Sequence, residues 1–294
     1  MVVSMYLLLR RFIATCLFAG SLALLADDRS APFEGGQLHY TVDGRGPGDL
    51  ILIHGWTCNA SFWRLQIPEL AKQYRVISID LPGHGSSDAP AGVDYTIEHF
   101  AAGVEAVMRH AGVERAALFG HSMGLPVAMK VLQDRPEAVV AIVAVDGPIW
   151  KFQRKTVPQW LKDMQRDYKT VAGNFIESMF TAQTPLFTRA EIKRKMLLTP
   201  PHVGLSAMLV MGASDVWLRG AATVPVLAVM AGAKSNGADG RKALHYEMFR
   251  NLQYEVWPEA GHFLMMEQPA RFNRLALDFL HSVSALHTVP SVTN

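Results

Sequence analysis

The segment Gly120-His121-Ser122-Met123-Gly124 places a serine between two glycines. It follows a short apolar run, residues 116–119, and opens a helical pattern that extends to Gln133. A sharp turn from strand to helix holds a serine hydroxyl clear of the backbone, and the positive N-terminal end of the helix favours negative charge beside it. We therefore interpret Ser122 as a nucleophile rather than as a helix cap.

His262 is the residue best placed to activate that serine. It follows a strand pattern, residues 253–257, and comes directly after Gly261. The carboxyl ends of parallel strands meet at one edge of a sheet, so we expect His262 and Ser122 to lie at the same edge. A neutral imidazole there can accept the hydroxyl proton, which makes His262 our candidate general base.

The elements that must position these residues alternate along the chain. An alternating strand pattern, residues 37–42, comes first, and mostly apolar runs bounded by Gly and Pro follow at residues 50–53, 75–79, 116–119, 139–145, 224–230 and 253–257. Helical patterns cover residues 97–111, 122–133 and 269–284. Strands of this kind are typical of sheets buried on both faces, so the sequence predicts an α/β fold with a mostly parallel sheet and helices on both faces.

One long stretch, residues 149–222, interrupts the alternation without a convincing strand. We interpret it as a helical cap inserted into a core made of residues 27–148 and 223–294. We expect its large apolar side chains to form the core of the cap: Phe152, Trp160, Phe175, Met179, Phe180, Met196, Met208, Met211 and Trp217.

Composition excludes several classes of protein. Half of the 294 residues are hydrophobic and 18% are charged, so the chain can form a sizeable core. The formal net charge is only +2 and no basic stripe is visible, which gives no reason to expect nucleic acid as a partner. No His or Cys spacing suggests a metal site and no glycine-rich phosphate loop follows a strand, so we expect no cofactor.

The N-terminus has the pattern of a secretory signal peptide. Arg10 and Arg11 precede an apolar run, residues 12–26, that ends at Asp27. The run is shorter than the ~20 residues of a membrane span, which favours a cleaved signal over residues 1–26 above a retained anchor. We therefore expect a periplasmic or secreted bacterial protein without stable membrane insertion after cleavage. Cys58 would then stand alone, packed as a small apolar residue.

Four motifs in order resemble those of the α/β-hydrolase family: His54-Gly55-Trp56, the turn at residues 80–87, the glycine-flanked serine, and Gly261-His262-Phe263. The resemblance covers roughly residues 33–284 and implies an α/β-hydrolase sheet. It also implies an oxyanion hole, made by the backbone N–H groups of Trp56 and Met123.

The resemblance leaves the acid of the catalytic triad open. Many relatives carry it after the strand that follows the cap, where this chain has Ser235. Some use the end of the strand before the cap, where this chain has Asp146. Asp239, in a glycine-rich segment, is the alternative, and we favour Asp146.

A serine nucleophile argues against the branches of the family that need an aspartate there, such as epoxide hydrolases. We expect hydrolysis of carboxylic esters of small to medium hydrophobic substrates through an acyl-enzyme. The alternatives are a lactonase or a carbon–carbon bond hydrolase with the same triad and, in another class, a ligand-binding protein of the same fold. The oligomeric state cannot be predicted from the sequence.

Overall fold

The computed structural model describes residues 27–149, 156–211, 215–218, 220–232 and 238–283. The predicted signal peptide and Phe152 lie outside these ranges. The strands are β1 Asp27–Phe33, β2 Gly36–Asp43, β3 Asp49–Ile53, β4 Arg75–Ile79, β5 Ala116–His121, β6 Val139–Val145, β7 Ala222–Ala231 and β8 Phe249–Trp257. The helices are α1 Ile67–Leu70, α2 Ile97–His110, α3 Gly124–Asp134, α4 Gln159–Arg166, α5 Tyr168–Glu177, α6 Leu186–Met196, α7 Pro201–Met211, α8 Ala238–Met248, α9 Leu264–Glu267 and α10 Pro269–Ser282.

The eight strands form one sheet in the order β1-β2-β4-β3-β5-β6-β7-β8. The β1–β2 and β2–β4 pairs are antiparallel, and every other pair is parallel. Every residue of β5 and β6 is buried, as their continuous apolar sequences predict for central parallel strands.

The chain order reverses at the centre of the sheet. From β3 the chain crosses to β4 on one side, whereas from β5 it crosses to β6 on the other. Right-handed crossovers therefore place α1 on the face opposite α2 and α3. In agreement, α2 packs against α3, and α10 packs against α1. Ligands of open α/β sheets bind at such a reversal, beyond the carboxyl ends of the strands. Ser122 directly follows the carboxyl end of β5, so it lies at this position.

In the described part of the insertion between β6 and β7, the α-helices are α4 to α7. They pack on one another, and α7 also contacts α2 of the core. None of the described helices is both long and apolar enough to cross a bilayer.

The structure contains elements that the sequence pattern did not predict, among them the short helices α1 and α9. Strand β1 was also not predicted, because its first four residues are exposed and polar and it is held mainly by pairing with β2. The segment that we interpreted as a glycine-rich loop around Asp239 contains helix α8, which packs against β8. Asp239 therefore lies in the first turn of a helix, and its side chain is outside the described part of the structure.

Candidate active site

Ser122 occupies a strained turn between β5 and α3. Its backbone φ is +51°, a left-handed conformation that is uncommon for a residue with a side chain. The turn is fixed on both sides, because the Ser122 N–H donates to the Val145 carbonyl at 2.9 Å and the Ser122 carbonyl accepts from the Leu125 N–H at 3.0 Å. Strain held in this way is typical of functional positions.

The two glycines of the motif are required by close backbone approach. A Cβ atom on Gly120 would lie 2.6 Å from the Gly124 carbonyl oxygen. A Cβ atom on Gly124 would lie 2.4 Å from the Ile53 carbonyl oxygen. Both distances are far below van der Waals contact, so any larger residue would force β3, β5 and α3 apart and displace Ser122.

His262 lies in the loop between β8 and α9, and its Nδ1 is 2.7 Å from Oδ2 of Asp146. Asp146 follows β6, with a φ of +41° and its own N–H bonded to the Val229 carbonyl at 2.9 Å. Its other carboxylate oxygen accepts the Ala231 N–H at 3.0 Å. With the ionised carboxylate as acceptor, the proton of a neutral His262 is on Nδ1, and the lone pair is on Nε2.

Asp146 is held in its ionised form. Burial on its own raises the pKa of this carboxyl group. The pKa of Asp146 is nevertheless lowered, because the hydrogen bond from His262, the positive charge of protonated His262 and the Ala231 N–H together outweigh burial. The structure therefore brings Asp146 to His262, as the sequence analysis expected. It leaves the alternative Asp239 untested, since that side chain is not described.

The two N–H groups expected to form an oxyanion hole belong to Trp56 and Met123, which are both buried. Within the described ranges, neither the Trp56 nor the Met123 backbone N–H donates a hydrogen bond to a protein acceptor. The Trp56 side chain is anchored to the cap, because its indole N–H donates to the Gly204 carbonyl of α7 at 2.8 Å. Its ring also packs edge-on against Phe175 of α5.

Ser122, His262, Asp146 and Trp56 line a single cavity of about 650 Å³ between core and cap. Five of the cap side chains that we assigned to the cap core line it: Trp160, Phe175, Met179, Met208 and Met211. Met208 and Met211 also belong to the buried core, and Phe175 and Met179 pack against it. The remaining described members of that set, Phe180, Met196 and Trp217, are buried and do not line this cavity. The cavity wall is therefore largely apolar, as in most small-molecule sites.

Three other histidines near the site make structural contacts. His54 donates from Nδ1 to the Gly55 carbonyl at 2.8 Å and accepts the Leu81 N–H at Nε2. His84 donates from Nδ1 to the Pro82 carbonyl at 2.9 Å. His121 lies beside the site, because its Nε2 donates to the His262 carbonyl at 3.0 Å and the two rings are 4.8 Å apart.

Sequence reasoning missed three polar residues around the site. Arg241 and His245 of α8 line the cavity, and Glu267 at the end of α9 accepts the Gly261 N–H at 2.7 Å. The first two were hidden because the glycines before them favoured a loop. Glu267 lies five residues after His262, a spacing that gave no signal on its own. Among the described residues, no cluster of three His, Cys, Asp or Glu side chains could hold a metal ion.

Comparison with known proteins agrees with this architecture. The family model for the alpha/beta hydrolase fold matches residues 50–269, and the chain belongs to this family. Epoxide hydrolase 3 of Xenopus tropicalis is 24% identical over 85% of this chain and 76% of its own length. The pimeloyl-[acyl-carrier protein] methyl ester esterase of Aeromonas hydrophila is 37% identical, over 35% of this chain and 38% of its own length. A solved structure described as Est816, an N-acyl homoserine lactone degrading enzyme, aligns with a TM-score of 0.76 and 24% identity over 85% of this chain and all of that chain. Membership of this family supports a hydrolase activity.

Proposed function

We propose that the protein is a serine hydrolase that cleaves carboxylic esters of small to medium hydrophobic substrates through an acyl-enzyme. The contact between His262 Nδ1 and Asp146 Oδ2, in a cavity that Ser122 also lines, carries the proposal. It supplies the acid and the base of a triad in the chain order Ser, Asp, His, which is the order of this family.

In the proposed mechanism, His262 Nε2 accepts the Ser122 proton as the hydroxyl oxygen attacks the ester carbonyl carbon. The Trp56 and Met123 N–H groups stabilise the resulting oxyanion. Asp146 holds the imidazole and stabilises the imidazolium. The alcohol leaves with the proton from His262. Water activated by the same imidazole then hydrolyses the acyl-enzyme.

The identity of the nucleophile separates this proposal from other activities of the family. The chain has a serine at the position where epoxide hydrolases need an aspartate, so similarity to epoxide hydrolase 3 supports the fold and not that activity. A lactonase and a carbon–carbon bond hydrolase would use the same residues, and the methyl ester esterase among the relatives favours ester cleavage.

A substrate panel tests the proposal. We expect p-nitrophenyl esters with acyl chains of different length to be hydrolysed with a burst of p-nitrophenol, and Ser122→Ala to lose turnover by several orders of magnitude. Lactones and β-diketones are assayed beside them. A more than tenfold preference for either class over every ester would favour one of the alternative hydrolases. Ligand binding without turnover of any class would favour a binding protein.

A further inference from the structure

Arg241 introduces a positive charge into a largely apolar cavity. Of the described residues that line the cavity, it is the only lysine or arginine. The other residues of the wall include Ile149, Met208, Met230 and Leu244. The Arg241 side chain comes from α8, lines the cavity and is 36% exposed.

Two contacts with described residues hold the Arg241 guanidinium, and they leave some of its N–H donors available. Nη2 donates to the Ala231 carbonyl at 2.9 Å, and Nη1 lies 3.5 Å from Oδ1 of Asp146. That oxygen already accepts the Ala231 N–H, and Oδ2 is bound to His262. Asp146 is thus a distant, shared counter-ion for Arg241. A guanidinium carries five N–H donors, and the contacts of Arg241 with the described residues occupy only part of them.

An anionic group is the ligand that matches such a guanidinium. A carboxylate that enters an apolar cavity loses its hydration, which is costly unless a fixed cation and hydrogen bonds replace it. Arginine provides both with a planar, two-pronged geometry. The remainder of the wall suits methylene groups.

We propose that Arg241 is a specificity-determining residue that binds a carboxylate of the substrate. The substrate class would be a half-ester of an aliphatic dicarboxylic acid, with the ester at Ser122, the methylene chain along the apolar wall and the free carboxylate at Arg241. This inference rests on the proposed ester hydrolysis and refines the simple expectation of a hydrophobic substrate.

The test compares monomethyl half-esters of dicarboxylic acids, over a series of chain lengths, with neutral methyl esters of the same length. We expect wild-type kcat/KM to favour the half-ester by about tenfold at the best length, as a charge-assisted contact would provide. Arg241→Gln should abolish this preference and Arg241→Lys should retain part of it. Lys242→Gln removes an exposed cation from the same helix and should leave the preference unchanged.

Equal losses on charged and neutral esters in Arg241→Gln would overturn the inference, because Arg241 would then only position Asp146. The absence of a wild-type preference at every length would overturn it as well. Binding to Ser122→Ala, measured by calorimetry, separates this inference from the proposed function. Half-ester binding that is lost in Ser122→Ala/Arg241→Gln supports carboxylate recognition even if no ester is turned over.

Discussion

At the scale of single residues, Ser122 and Asp146 share an uncommon backbone conformation. Both have positive φ, and both follow directly on central strands of the sheet. Asparagine tolerates positive φ better than most residues. Replacement of Asp146 by Asn therefore changes the partner of His262 without adding backbone strain.

We predict that Asp146→Asn lowers kcat by a few orders of magnitude with little change in KM. In the serine-protease example on which this expectation is based, the corresponding change costs ~10⁴ in kcat, because the imidazole is held in the wrong tautomer. Asp239→Asn should stay within about tenfold of wild type. Steady-state kinetics, with melting temperatures to control for a turn defect, checks both variants. Collapse of Asp239→Asn together with near-normal Asp146→Asn would move the acid to α8.

Residues that follow strands could be predicted from the sequence, whereas Arg241 could not. Ser122 and His262 are each marked by a glycine and an apolar run, so their edge of the sheet follows from the pattern alone. The choice of Asp146 needed the family resemblance, and only the 2.7 Å contact in the structure places it against His262. Arg241 lies in a segment whose glycines hide the helical pattern of α8 in the sequence. Its proposed role also depends on its position in the cavity wall, which only the structure shows.

At the scale of elements, a small hydrogen-bonded cluster joins the cap to the loop that carries His262. Glu267 accepts the Gly261 N–H through Oε2 and the hydroxyl of the cap residue Thr184 through Oε1, at 2.7 and 2.8 Å. The His262 N–H donates to the carbonyl of Met179, another cap residue, at 3.3 Å. These hydrogen bonds tie the loop beside the imidazole to the cap.

We predict that Glu267→Ala lowers kcat about tenfold to a hundredfold, because a small displacement of a catalytic group has a large effect on rate. Glu267→Gln keeps one acceptor oxygen and should lie between Ala and wild type. Glu259→Gln, which changes an exposed carboxylate in the same loop, is the matched control. Kinetics beside melting curves checks this, and a loss of stability without a loss of kcat in the folded protein would contradict it.

Elements differ in how well their sequences predict them. The central strands were predicted closely because burial on both faces demands continuous apolar runs. The edge strand β1 needs no continuous apolar run, because its first four residues are exposed. Helix α8 was missed because Gly240 within it and Gly237 before it reduce helix propensity, and contacts with β8 override that preference.

At the scale of the whole molecule, buried histidines make the stability of the fold depend on pH. Burial lowers the pKa of His84 and of His121 to about 3 and also lowers the pKa of His54. In the unfolded chain each of these histidines titrates near ~6.5. Between these values the unfolded state binds more protons than the folded state. These histidines therefore leave the free energy of unfolding at its full value above ~6.5 and lower it as the pH falls toward 3.

We predict that the free energy of unfolding decreases between pH 7 and pH 4.5, and that His84→Gln reduces this slope. One buried histidine contributes up to about 1.4 kcal/mol per pH unit below ~6.5. The exposed His281 serves as control, and His281→Gln should keep the wild-type slope. Chemical denaturation at several pH values provides the measurement. Parallel pH profiles for wild type and His84→Gln would contradict the prediction.

Covalent labelling of Ser122 tests the central claim most directly, since only a base-activated hydroxyl reacts quickly with a fluorophosphonate. Intact mass and peptide mapping of the treated protein should show one adduct, on Ser122. His262→Ala, with its fold confirmed by circular dichroism, should label far more slowly, and Ser122→Ala should not label. An adduct on another residue, or labelling that persists in Ser122→Ala, would contradict the account.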